Sequence, residues 1–250
     1  MGVNMTNKPE LLPEKSSRKL HLSTTDVALI SVFAALYVVL GMLPLFYIFG
    51  AFGNFITAAL ILAPIAGMVL GPVGGTMSVI IGGIAGMAIT GNMPMGIFSF
   101  LPGAFNALCI GLVFRGKWYA AAAILAAFII AFIALPSIGT AKYFIWFDAL
   151  ALLVLLSPAS TMAKKYIKNK DPQKIVLGVG ILAFIGVSVD HVVGSLIFQI
   201  LSPLPPSVWE GLAFVYPIER LLVIIVATII GAGIIKAMSA SGLKIGQALA

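Results

Sequence analysis

Between Leu60 and Met87 the chain reads LILAPIAGMVLGPVGGTMSVIIGGIAGM, without a single charge and full of glycine. Two hydrophobic runs meet at Gly71-Pro72-Val73-Gly74-Gly75, with no polar loop between them. A soluble domain has no cheap way to cover so much apolar surface around so tight a turn. In lipid, two helices can reverse at a membrane surface and pack backbone to backbone through their glycines. Composition agrees: 61% of the 250 residues are hydrophobic and 9% are charged, against about 25% charged in a soluble domain. The expected fold is all-α, a polytopic membrane helix bundle.

Eight apolar runs are long enough to span at about 20 residues per crossing. They lie at roughly 26–48, 52–70, 73–91, 96–114, 118–136, 143–163, 174–201 and 211–237. Pro94 and Pro102 leave a re-entrant path open in the third and fourth runs. The predicted organisation is a flexible basic cytoplasmic tail at 1–22, a single transmembrane helical domain at 23–240 and a short cytoplasmic tail at 241–250. The first segment holds Pro9, Pro13, Lys15, Arg18 and Lys19 but no apolar core, unlike a cleavable signal. Ser23-Thr24-Thr25-Asp26 then opens the first helix, with Asp26 read as a capping residue.

The formal net charge of +7 sits in the gaps between runs. That distribution sets orientation and points away from nucleic acid. With the N-terminus inside, every one of the 15 basic residues except Lys142 and Arg220 falls on the inner side. The C-terminus is then cytoplasmic as well. Cys109, the single cysteine, lies in an apolar run and reads as a small core residue. Small residues four apart, such as Gly67/Gly71/Gly75 and Gly82/Gly86, read as helix contacts or as a docking face.

Polar groups inside apolar runs are few, and these usually mark a pathway, a ligand or a buried pair. Asp190 and His191 sit mid-run, Asp148 a short way into its run, and Glu219 and Arg220 in the outer half of the last. Asp190 and Arg220, on consecutive antiparallel helices, can pair. Three readings stay open: a structural ion pair, a polar site for a small ligand, or a proton relay through Asp190 and His191. His191 taken singly reads as a hydrogen-bonded core group. No HExxH, GxSxG, nucleotide loop or paired-Asp motif is present, so an enzyme is not expected. Two histidines and one cysteine far apart make no metal site, and no cofactor is expected.

Three segments resemble the substrate-binding S component of an energy-coupling factor (ECF) transporter. DVALISVFAALYVVLGMLP (26–44) is similar to its opening helix. LGPVGG (70–75) is similar to its second-to-third helix turn, and YPIERLLVIIVATIIGAGIIKAM (216–238) to its last helix. The match covers about 26–115 and 211–238. S components usually have six helices, so the resemblance implies a six-helix core plus about two extra spans between 118 and 201. The paired alanines used for docking are matched only loosely, by Ser31 and Ala35. Met1-Gly2-Val3-Asn4 lacks the N-terminal histidine of the cobalt and nickel members, so metal transport is not implied.

The resemblance implies uptake of a vitamin or similar micronutrient from outside. The partners would be a membrane T component and two cytoplasmic ATPase subunits, with lipid around all of them. Candidate substrate-binding residues are Asn54, Asn92, Trp146, Asp148, Asp190, Trp209, Glu210, Tyr216, Glu219 and Arg220. Trp146, Trp209 and Tyr216 can stack on a planar ring or anchor the chain at the interface. Two other functions stand beside this one. One is a standalone proton-coupled carrier using Asp190, His191 and Glu219. The other is a non-transporting membrane protein, either a scaffold or an intramembrane enzyme with an unfamiliar site.

Overall fold

The computed structural model describes residues 23–242. The tail predicted at 1–22, with Lys8, Lys15, Arg18 and Lys19, lies outside the described residues, as does the chain beyond 242 with Lys244. The fold is all-α apart from one short hairpin, and 80% of it is helical. Ser23 opens α1 (Thr24–Gly41) as the sequence suggests. Its hydroxyl accepts from the Asp26 amide at 3.1 Å, and the Asp26 carboxylate accepts from the Ser23 amide at 3.1 Å. Asp26 is thus engaged as a cap. Only Ile30, Phe33 and Ala34 of α1 are buried, while Val27, Val32, Leu36 and Val39 stand exposed.

The first two apolar runs are shorter as helices than predicted. Helix α1 stops at Gly41 and the next helix starts at Ala59. Between them, β1 (Pro44–Tyr47) and β2 (Phe55–Thr57) form an antiparallel hairpin. Its tip turns at Gly50 and Gly53, at φ values of 84° and 77°. Hydrophobicity alone does not separate an aromatic strand from the end of an apolar helix.

Helix α2 (Ala59–Thr90) is broken at Gly71, where φ is 75° and ψ is −176°. The chain doubles back there, because a Cβ on Gly75 would stand 2.9 Å from Gly67 Cα and 2.8 Å from the Ala66 carbonyl oxygen. Residues eight or nine positions apart along a straight helix would be about 12–14 Å apart. The limbs 59–70 and 72–90 are therefore an antiparallel pair. Gly111 of α3 (Leu101–Phe114) closes on the turn, and a Cβ there would overlap the Pro72 backbone. Pro102 occupies the first turn of α3, where its missing N–H costs no helical bond.

The remaining helices are α4 (Trp118–Ala134), α5 (Trp146–Leu156), α6 (Pro158–Ile167), α7 (Pro172–Leu201), α8 (Pro206–Leu212) and α9 (Val215–Ala240). Helices α5 and α6 bend by 72° at Ser157, which caps α6 by accepting from the Ala159 amide. Among the described residues, five helical segments are long and apolar enough to cross a membrane, or six if the bent pair is one span. Eight runs were expected, and the shortfall has a plain geometric origin. The two limbs of α2, broken at Gly71, count together as one segment, and α4 and α5 have only 17 and 11 residues. Helices α2 and α7 form the centre of the bundle, and α1 and α9 flank it.

Candidate functional site

The bundle has two unlike ends. At one, Lys168 lies over the Phe114 ring and Lys164 stands beside Gly116, with Lys117 next in the chain. At the other, the β-hairpin, the loop after α2 and helix α8 surround a cavity of about 160 Å³. Tyr37 of α1, Gly82, Gly83 and Gly86 of α2, and Gly103 of α3 line it on one side. Asp190, His191, Gly194, Ser195 and Phe198 of α7 line it on the other. The spacing of those α7 residues defines one helix face. Tyr216 and Arg220, four apart on α9, share a face in the same way, and the Arg220 Cζ lies 5.7 Å from the Tyr216 ring centroid. Phe49 and Phe55 of the hairpin and Phe100 before α3 complete an aromatic wall.

Arg220 is 5% exposed, and its Nε and Nη1 are buried without a hydrogen-bond partner. The predicted Asp190–Arg220 pair does not close. Among the described residues the ion pair within 4.0 Å joins His191 to Asp148 instead, and Asp190 and Arg220 both face the cavity. His191 Nδ1 lies 3.0 Å from each Asp148 carboxylate oxygen. An ionised carboxylate only accepts, so Nδ1 carries a proton and donates to Asp148. That Nε2 is buried with no partner.

A ring cluster holds this arrangement from behind. Phe144 stacks 5.1 Å from His191 and 4.7 Å from Trp209, and Phe132 lies 5.5 Å from Trp209. Trp209 Nε1 donates to Gln199 Oε1 at 2.9 Å. Gln199 also accepts from the Leu204 amide at 2.8 Å and donates to the Leu204 carbonyl at 3.1 Å. One amide therefore ties α8 to the end of α7.

Of the ten substrate-binding residues proposed from sequence, the fold brings Asn92, Asp190, Trp209, Tyr216 and Arg220 to the cavity. Asn92 is a brace as well, because its amide pairs with both the N–H and the carbonyl of Phe55 at 2.9 Å. The other five are placed elsewhere. Asn54 accepts from the Met93 amide at 2.8 Å, joining hairpin to loop. Trp146 is 41% exposed and donates to the Ala213 carbonyl at 2.8 Å. Asp148 is fully buried behind His191. Glu210 accepts from the Thr140 hydroxyl at 2.5 Å. Glu219 is half-buried one step around α9 from Arg220, with Oε2 unpartnered.

Sequence reading missed Tyr37, Ser195 and the phenyl groups of the wall. A tyrosine in the middle of an apolar helix was a signal for the first; Phe49, Phe55, Phe100 and Phe198 carried none. Ser31 and Ala35, the predicted docking residues, lie exposed on α1 beside Val32 and Leu36. Cys109 is fully buried in the core. No cluster of three or more His, Cys, Asp or Glu suited to a metal ion occurs among the described residues.

No family model matches the chain. It is 31% identical over 138 residues to an uncharacterized protein of Methanocaldococcus jannaschii, covering 55% of this chain and 44% of that protein. The chain thus spans less than half the length of that relative. No solved structure matches it.

Proposed function

We propose that the chain is a membrane solute-binding subunit for the uptake of a small organic micronutrient, of the S-component type that its sequence resembles. The observation that carries this reading is the cavity at the hairpin end, where a buried guanidinium with unpartnered nitrogens, a carboxylate and an imidazole converge inside an aromatic wall. Concave, mostly apolar sites with a few convergent polar groups are what small-molecule recognition requires. Ionisable groups within apolar helices carry function by default.

In this reading the hairpin end faces outward and the lysine end faces the cytoplasm, following the basic residues. Both termini are cytoplasmic, and eight segments cross or enter the bilayer when each limb of α2 and the bent α5–α6 pair count as one each. The exposed face of α1, with Ser31 and Ala35 among apolar neighbours, is the surface a membrane T component would grip, and two ATPases would drive the cycle. Co-expression with such partners is expected to give a stable complex and ATP-dependent uptake. Ser31→Leu or Ala35→Leu should lower uptake while leaving solute binding intact. If neither substitution changes uptake and no partner co-purifies, the reading fails.

The His191–Asp148 pair favours a second reading, a proton-coupled carrier that works alone. It is a buried titratable couple beside Asp190 on the cavity wall. Uptake into proteoliposomes lacking any ATPase, abolished by an uncoupler and by Asp190→Asn, would select it.

A further inference from the structure

The polar atoms on the cavity wall specify what they lack. Arg220 contributes Nε and Nη1, both buried and both without a partner. Leaving a desolvated guanidinium unmatched is costly, so such a group is retained where something else completes it. Asp190 and Glu219 contribute to the electrostatic field at Arg220, yet neither lies within 4.0 Å of it. A carboxylate is the charge-matched acceptor for a buried guanidinium, held by a charge-assisted hydrogen bond. One acceptor stands on the same wall, the Asp190 carboxylate, and beside it His191 Nε2 is buried without a partner. The space between is lined with phenyl groups and holds about 160 Å³. An apolar cavity of about 150 Å³ takes up one benzene ring.

We propose that the cavity takes a zwitterionic solute built on a single ring. Its carboxylate pairs with Arg220, its ring lies among Phe49, Phe55 and Phe100, and its amino group meets Asp190. A cation without an acid leaves the guanidinium unmatched. An anion without a donor leaves the Asp190 carboxylate unmatched. Only a ligand carrying both groups satisfies the wall and keeps the site neutral. This inference rests on the reading of the cavity as a solute site, but not on any partner or energy source.

The test uses the full chain in lipid nanodiscs, titrated calorimetrically with 4-(aminomethyl)benzoate, its methyl ester and the corresponding benzamide. The free acid, a zwitterion, is expected to bind at least tenfold more tightly than either derivative, both of which are cations without an acid. Arg220→Gln should erase that preference and Arg220→Lys should retain part of it. The comparison of acid with ester on the unaltered protein needs no variant, so a folding defect in Arg220→Gln cannot obscure it. Equal binding of acid and ester, or no saturable binding of the acid, overturns the proposal. Uptake of an uncharged solute without binding of the acid would sink the substrate class and leave the uptake reading standing. Binding of the acid with no uptake under any energisation would do the reverse.

Discussion

Around the Gly71 turn, glycines let backbone touch backbone: Gly75 packs on Ala66 and Gly67, and Gly111 packs on Pro72, with no room for a methyl group. At the hairpin end the glycines of the cavity wall divide: a Cβ on Gly82, Gly83 or Gly103 would crowd Ala34, Phe100 or Tyr37, whereas a Cβ on Gly86 would meet nothing nearer than 3.9 Å and one on Gly194 nothing nearer than 3.6 Å. At Gly86 and Gly194 the same residue thus leaves space where at the turn it removes it. What differs is the partner. In the turn a second helix fills the notch, whereas beside Gly86 and Gly194 nothing closes on it. A GxxxG-like spacing therefore tells which faces are smooth and not what covers them.

The largest expected effect breaks the packed end. Gly111→Val should cost about 3 kcal/mol or more through overlap with the Pro72 backbone, read as loss of a monodisperse peak in mild detergent. Asp148→Ala acts behind the cavity. It removes the partner of His191 Nδ1 and should lower stability by about 2–3 kcal/mol, measured by thermal melting, with Asp148→Asn recovering part of the loss. Gln199→Leu strips hydrogen bonds from Trp209 and Leu204 and should cost about 1–2 kcal/mol, with the Trp fluorescence shifted as α8 loosens. The smallest stability change is expected at the cavity itself. Gly86→Ala should stay within about 0.5 kcal/mol of the parent while weakening solute binding about tenfold. If Gly86→Ala unfolds the protein, or Gly111→Val is tolerated, the contrast between the two ends is wrong.

Much of the packed end was legible in the sequence, because the constraint there is local. LGPVGG cannot continue a helix through Gly71-Pro72, and its apolar flanks leave reversal as the way to satisfy the backbone in lipid. The Ser23–Asp26 cap is equally local. The cavity was legible only in fragments. Asp190, Tyr216 and Arg220 announced themselves as polar groups in apolar helices, but their mutual geometry depends on how α7 and α9 meet. Asp148 looked like a ligand contact and is instead the hidden support of His191, 43 residues away in the chain. The hairpin escaped because Pro44–Tyr47 is as hydrophobic as the helix before it. Tyr37 is a tyrosine within an apolar helix, which is a signal, but no pattern in α1 marks which face the cavity occupies.

The reversal at Gly71 also bears on how the chain enters the bilayer during synthesis. The limb 59–70 is about 18 Å long at 1.5 Å per residue, short of the ~30 Å hydrocarbon core. It carries no polar group to hold its turn at a surface. Entry into lipid together with the limb that follows, as one inserted unit, would leave the turn uncovered until Gly111 has been made. Release of the nascent chain in the interval between Gly75 and Phe114 would strand bare backbone in the hydrocarbon. Chains cut back to residue 95 are accordingly expected to be cleared from the cell faster than chains cut back to residue 117, which pulse-chase labelling would show.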